Sequence, residues 1–450
     1  MFCTTRQVAA VSVIAFFSMV HAQYYPQNAR MNALGNTWIM DDMGDVIRYG
    51  AYVMDYQDAA QATWNNPIVG IKSIGDRFAV GVIANRGMVL DNASVNSFYQ
   101  QGVAALNNSF STIAPINSVQ NVPHLLLGLD LGSIAVFGLD LFWEYASSYY
   151  HNEITTDPSV TMDGKFKIRN RGFILSARLG EDLIPAAVSL KAGFSRPIVS
   201  GTFDDGTNET TVTSDKGSFL TFGGEGGFTV GDFLLTAGTD LNFEKYSFET
   251  NDVAAVNEFA NNRLALYGGI EGDIFTGARY GVLYTMFLYN YKTTTAATDV
   301  TAKNRLVAHS ISCGIENSWR NVWIFDECLL RGGLAFTATT PVAYYKDTTS
   351  DVRIAQQKIY SPVAPTIGVG LKKYIFQLDA TLNPAAWNGA IAGPAVGMVT
   401  VTIDFKKSNL SEGGSEPETS DLNDETGSPE TADSGTSTEQ NTLKVTRRSN

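Results

Sequence analysis

The chain has 450 residues, 44% of them hydrophobic and 17% charged, and its 32 Lys and Arg against 45 Asp and Glu give a formal charge of −13. So acidic a chain has no electrostatic attraction for phosphate backbones, which excludes a nucleic-acid partner. No segment offers about 18 consecutive apolar residues, so no transmembrane helix is expected.

Arg6, the apolar run from Val8 to Val20 and the sequence Val20-His21-Ala22 have the form of an export signal, which predicts residues 1–22 as a cleaved signal peptide and a mature chain from about Gln23. Cys3 precedes the apolar core and so is not the acylated cysteine of a lipoprotein. Residues 23–76 do not alternate like the rest and read as an N-terminal periplasmic or hatch-like segment.

From 77 to 405 the chain alternates with period two, and its strands are closed in turn by a tight connection and a long polar one. That asymmetry predicts an all-β fold, a transmembrane antiparallel β-barrel in the bacterial outer membrane. Strands are expected near 77–86, 122–131, 133–147, 169–179, 185–197, 217–229, 232–247, 262–273, 279–291, 304–317, 323–339, 361–371, 374–383 and 395–405, fourteen in all. If residues 45–74 add strands at the seam instead of forming a hatch, the count is sixteen. The tight connections are assigned to the periplasm. The long ones, at 87–121, 148–168, 198–216, 248–261, 292–303, 340–360 and 384–394, are assigned to the outside.

Outward positions of such a wall must be apolar and lumen positions polar or small. In 133–147 the odd set is Ala135, Phe137, Leu139, Leu141, Trp143 and Tyr145, while the even set holds Asp140 and Glu144. The same test predicts that Asp130, Arg178, Lys191, Asp240, Glu244 and Asp379 face the lumen. Trp143, Tyr145, Tyr149, Tyr150, Tyr246, Phe248, Tyr289 and Tyr291 lie where strands approach the long loops, the position of an outer aromatic girdle. Val95, Phe98, Tyr99 and Leu106 in one loop, and Val253, Val256, Phe259 and Ala260 in another, carry helical spacing. A two-residue turn at Arg320-Asn321 would set Cys313 directly opposite Cys328. A cross-strand disulfide and two free thiols are both open readings.

The segment Asn28-Ala29-Arg30-Met31-Asn32-Ala33-Leu34-Gly35, followed by Asp41-Asp42, resembles the start of the superfamily of outer-membrane barrels that includes the long-chain fatty-acid transporter FadL and secretion-associated barrels. Tyr49-Gly50-Ala51 stands where that family has Asn-Pro-Ala, and Asn66-Pro67 comes later. The resemblance implies a hatch inside a fourteen-stranded barrel, and loop residues such as Val95, Phe98, Tyr99, Val256 and Phe259 shaping an apolar capture site for a hydrophobic ligand. The strand ending Val399, Val401, Ile403 and Phe405 resembles the C-terminal signal that the barrel-assembly machinery reads. Here it is followed by residues 406–450, with nine carboxylates, five bases and no aromatic residue, which reads as a disordered tail whose partner the sequence does not specify.

Catalysis has little to rest on. His151, near Glu153 and Asp157, is the one candidate beside His124 and His309, and solvated loop residues explain it more simply. Gly223-Gly224-Glu225-Gly226-Gly227 lies within a strand and cannot cradle a phosphate as a P-loop does. No EF-hand spacing or nucleotide motif is present, so no metal and no cofactor is expected. The barrel pattern without a nucleotide motif, together with the resemblance above, suggests a passive outer-membrane channel or transporter in contact with lipid, for a hydrophobic small molecule. A non-transporting scaffold, adhesin or secretion accessory is the alternative.

Overall fold

The computed structural model describes residues 28–34, 36–40, 42–64, 68–86, 122–153, 161–180, 186–204, 209–214, 216–250, 253–295, 300–346, 351–355, 358–361, 363–382 and 396–406. The signal peptide, the tail from 407, and the loop holding Val95, Phe98 and Tyr99 lie outside the described residues.

In chain order the strands are β1 (Ala59–Thr63), β2 (Ile68–Ile74), β3 (Phe78–Arg86), β4 (Val122–Asp130), β5 (Ala135–Glu153), β6 (Thr161–Leu179), β7 (Ala187–Asp204), β8 (Glu209–Ser214), β9 (Ser218–Val230), β10 (Phe233–Thr250), β11 (Val253–Phe275), β12 (Ala278–Thr295), β13 (Val300–Val322), β14 (Phe325–Lys346), β15 (Asp351–Ala355), β16 (Ile359–Tyr360), β17 (Ala364–Lys373), β18 (Phe376–Leu382) and β19 (Val396–Asp404). All belong to one antiparallel sheet that closes where β1 pairs with β19. β8 and β9 run in succession along β7 and make one interrupted stave. β15, β16 and β17 do the same along β14. The nineteen segments therefore form a closed barrel of sixteen staves.

Sixteen corrects the expectation of fourteen. The two further strands are β1 and β2, and both sets of residues give an even count, so parity did not distinguish them. β1, Ala-Ala-Gln-Ala-Thr, is short and made of small residues, and shows no apolar alternation. It is held by backbone pairing on both edges, Ala59 opposite Asp404 and Ile71.

Tight turns at one end require left-handed backbone, supplied by Gly132 at φ 73° and Gly277 at φ 89°. The hairpin between β13 and β14 turns at Trp323-Ile324, not Arg320-Asn321, with Trp323 itself at φ 55°. The register is thereby displaced, so Cys313 faces Leu334 and Cys328 faces Trp319. Six residues of strand separate the two thiols, roughly 20 Å at about 3.4 Å per residue, and both are free.

At the other end the strands run far into what the sequence presented as loops. β5 and β6 extend to Glu153 and from Thr161, β10 and β11 to Thr250 and from Val253, and β14 to Lys346. His151 is therefore a strand residue opposite Asp163, not a loop residue. Val256 and Phe259 lie on β11, not on a loop helix. Helical spacing misled there because the same apolar residues also suit an extended hairpin. β13, at 23 residues, is roughly 75 Å long at about 3.3 Å per residue, against the 9–11 residues that cross a bilayer. The hairpins thus stand well clear of any lipid band.

Leu141, Phe173, Phe194, Phe222, Leu266, Ile311 and Leu334 are exposed on the outer wall, while Asp140, Glu144, Asn170, Glu225 and Arg331 are buried on the inner one. An apolar exterior around a polar interior is the pattern of a membrane-spanning barrel. Aromatic residues crowd the short-turn end of the exterior: Phe78, Phe233, Phe275, Trp323, Tyr374 and Phe376 are exposed there. The sequence pattern predicts a girdle only at the opposite end. Trp143 and Tyr145 do face outward there, but Tyr246 and Tyr289 are buried inside the barrel. Their parity, even on β10 and odd on β12, is that of the inner wall.

Candidate functional site

Residues 28–58 lie inside the barrel at its short-turn end. They fold into α1 (Ala29–Ala33), α2 (Asp45–Arg48) and a 3-10 turn (Gly50–Met54). Asn28 caps α1 by accepting a hydrogen bond from the Met31 amide at 2.8 Å. Such short helices are marginal alone, so contacts with the wall must order them.

Two clusters of charge fix the segment. On one side Arg30 donates from Nε and Nη2 to the Glu316 carboxylate at 3.0 and 3.1 Å, and from Nη1 to Asp42 at 3.3 Å. Glu316 also accepts from Arg331 at 2.5 Å, and Arg331 reaches Asp379 at 2.5 Å. On the other side Arg48 donates to Glu225 at 2.5 Å and to the Tyr267 hydroxyl at 3.2 Å, pairs with Asp45 at 3.5 Å, and stacks over the Trp38 ring at 3.8 Å. Burial alone would lower the pKa of Arg48. Glu225, Tyr267 and Asp45 instead hold it well above the ordinary arginine range, so it stays charged. Burial pushes the neighbouring Tyr49 hydroxyl up, leaving it neutral.

Hydrogen bonds complete the fit. The Ala51 amide donates to Ser176 at 2.8 Å, the Ala29 amide to Thr400 at 2.8 Å, and Thr366 and Thr381 donate to the carbonyls of Ala33 and Ala29 at 2.9 and 2.7 Å. Arg178 reaches Asp55, with Nη2 at 2.7 Å. The wall is notched where the segment meets it. A Cβ on Gly269 would lie 2.6 Å from Ile39 Cδ1, and one on Gly314 would lie 2.8 Å from the Leu34 carbonyl. On Gly138 it would collide with the Gly50-Ala51 peptide, and on Gly128 with Val53. Real Cβ atoms do not approach so closely, so these glycines are what let the segment seat.

Asp140, Glu144, Arg178, Lys191, Asp240, Glu244 and Asp379 all project from the inner wall. The structure joins them in separate groups. Asp140 pairs with buried His124 at 2.8 Å. Glu144 accepts from Asn170 at 2.6 Å, and Glu244 accepts from Tyr246. Lys191 pairs with Asp240 at 2.6 Å and lies over the Tyr49 ring at 4.9 Å. Asp130 shares the inner parity but sits at the rim, where it accepts from the Gly132 amide at 2.7 Å. Val399, Val401, Ile403 and Phe405 form one outward row, and the Phe405 amide donates to the Asp58 carbonyl at 2.8 Å. Val256 and Phe259 are placed only by their backbone.

Sequence reasoning missed Arg48, Glu225, Tyr267, Glu316 and Arg331. Inner-wall parity would have found the last four, and the charge of Glu225, Glu316 and Arg331 so near the turns was the usable signal. Farther along the inner wall, Ala265, Phe287, Tyr289, Leu306 and Ala308 form an apolar cluster. A groove between Ile74, Phe78, Leu127, Phe137, Leu139 and Leu175 opens on the outside, where lipid would lie. Among the described residues no group of three or more His, Cys, Asp or Glu is arranged to hold a metal ion.

No family model matches the chain, and no curated protein does. Solved structures that are similar include CdiB from Escherichia coli, at 9% identity and a TM-score of 0.37, covering 77% of this chain and 62% of that one. Another is the alcaligin outer membrane receptor FauA from Bordetella pertussis, at 8% and 0.33, covering 76% and 60%. A third is OmpT of Vibrio cholerae, at 9% and 0.28, covering 77% and 94%. The chain spans about three fifths of the length of the first two. At these values the likeness carries no functional argument, and the resemblance to the FadL-like superfamily gains no support from it.

Proposed function

We propose that the protein is a channel or passive transporter of the bacterial outer membrane, with residues 28–58 as a hatch across the periplasmic end of the lumen. The observation that carries this reading is the way the segment is held. It reaches ten of the sixteen staves through ion pairs and hydrogen bonds, which water can replace, and packs Val46, Val53 and Met54 in an apolar cluster with Val69, Ile83 and Leu126 of the wall. The inner cluster of Phe287, Tyr289 and Leu306 favours a hydrophobic small molecule as the passenger. No catalytic role belongs to this reading. The short turns face the periplasm and the long hairpins face outside, and the row ending in Phe405 serves the assembly machinery.

The test is ion conductance of the purified barrel in a planar bilayer, with and without residues 28–57, a deletion that spares β1. Larger conductance without the segment supports a hatch. Equal conductance refutes it. The length of the hairpins beyond the lipid band supports a second reading, a scaffold that binds another protein outside. A barrel that stays sealed after the deletion, yet binds cells or a partner through its hairpins, would favour that reading. Labelling single cysteines on intact cells checks the orientation: position 147 should react and position 373 should not.

A further inference from the structure

Read from its short-turn end, the outward row of β6 is Leu179, Ala177, Leu175, Phe173, Arg171, Arg169, Lys167 and Lys165. Four apolar residues give way to four consecutive outward cations. The neighbouring strands fix the height of the change. Leu139 and Ala192 flank Leu175, and Leu141 and Phe194 flank Phe173, so lipid reaches that level. Arg171 then lies between Trp143 and Arg196, with its guanidinium 4.6 Å from the centre of the Trp143 ring.

Trp143 is 60% exposed and Tyr145, opposite Arg169, is 45% exposed. Amphipathic rings mark the membrane interface, so the column of cations begins where the hydrocarbon ends. Between the levels of Arg171 and Lys165, the outward residues of β5 and β7 include no carboxylate. Asp163 and Asp204 come only one level higher, at the tip. A stack of like charges on one strand edge is unfavourable by itself, which makes a bound anion the natural complement.

We propose that the outward face of β6, with Arg196 on β7 and the rings of Trp143 and Tyr145, binds the phosphate groups of a phosphorylated outer-leaflet glycolipid. The acyl chains would lie on the Leu175 and Phe173 rows below, and the phosphates would meet Arg171, Arg169 and Lys167 at the interface. The leaflet assignment rests on the orientation proposed above. Binding in a detergent micelle does not depend on orientation, so the two ideas fail separately.

The experiment titrates the purified full-length barrel in micelles with a bis-phosphorylated lipid A glycolipid and counts bound lipid by native mass spectrometry. Parallel titrations use the same lipid without phosphates, phosphatidylglycerol and inorganic phosphate. The variant Lys165→Gln/Lys167→Gln/Arg169→Gln/Arg171→Gln should bind the phosphorylated glycolipid at least tenfold more weakly. Arg77→Gln/Arg320→Gln/Lys373→Gln/Lys406→Gln, which removes the same charge at the short-turn end, should stay within twofold of the parent. Should the first variant fail to show the heat-modifiable migration of a folded barrel, Lys167→Gln/Arg169→Gln replaces it, with an expected loss of threefold or more. Equal losses in patch and control variants, equal binding of the dephosphorylated lipid, a preference for phosphatidylglycerol, or displacement by millimolar inorganic phosphate would each overturn the proposal.

Discussion

Replacing Arg48 by Met should loosen the inner segment without unfolding the barrel. The change keeps the stem that packs on Trp38 and removes the guanidinium held by Glu225 at 2.5 Å and Tyr267 at 3.2 Å. Glu225 is then a buried carboxylate without its cation. Removing one member of a buried pair costs about 3–5 kcal/mol, which lowers the ratio of seated to unseated segment by roughly a hundredfold to several thousandfold. The sixteen staves do not depend on this contact, so heat-modifiable migration should be unchanged. A reporter cysteine at Val53, fully buried against the wall, reads the seating directly once Cys313 and Cys328 are changed to Ser. A membrane-impermeant maleimide should label Val53→Cys tens of times faster or more in the Arg48→Met background. Adding Glu225→Leu should recover much of the protection, because two apolar side chains replace the closer pair, and Asp45, which also loses Arg48 at 3.5 Å, keeps the hydrogen bond from the Asp42 amide at 3.0 Å. Labelling no faster than in the parent, or a double variant no better protected than Arg48→Met alone, would refute the reasoning.

Leu139→Arg places a charge against lipid at a cost of roughly 2–4 kcal/mol near the midplane, so it should reduce assembly far more than Asp140→Asn, measured as heat-resistant barrel in membranes. Gly138→Val should leave the barrel folded while raising conductance and Val53→Cys labelling, since its Cβ would strike the Gly50-Ala51 peptide; unchanged labelling would show that the notch is not needed. Deleting residues 408–450 should leave a folded barrel. Phe405→Asp should lower outer-membrane levels even with the tail present, and the opposite pattern in quantitative blots would move the assembly signal away from β19.

The parts of the wall legible in the sequence were those immersed in lipid. Leu139 with Asp140, and Leu241 with Asp240, alternate strictly because one neighbour meets hydrocarbon and the other the lumen. Above the lipid that constraint lapses. Lys165, Lys167, Arg169 and Arg171 are polar on the outward face, so β6 read as loop before residue 169, although its backbone pairs continuously with β5 and β7. β1 was hidden for a different reason. Its alanines carry no apolar contrast, and backbone pairing alone shows it to be a strand, on one edge with β2 and on the other with residues more than three hundred positions away. The candidate site was half visible: Arg30 and Asp42 lie together in the N-terminal motif, but Glu316, the other carboxylate that Arg30 holds, lies 286 residues from it, a distance no local pattern spans.

Chain order couples closure of the wall to seating of the inner segment. β1 directly follows residues 28–58 and pairs with β19, the last strand, so the barrel closes only when the two ends of the folded region meet. The segment must already be inside, or enter at that moment, because Asp58 joins it to β1 and also accepts from the amide of Phe405 at 2.8 Å. Among the described residues this seam is the least bonded line of the wall, with five residue pairs to β19 and four to β2, against twenty-one between β13 and β14. Its side chains are mostly alanine, which adds little packing to those pairs. A force that draws the inner segment out of the lumen through Asp58 therefore acts first on β1, the strand with the fewest bonds to lose, whereas loosening the segment within the lumen leaves β1 paired on both edges.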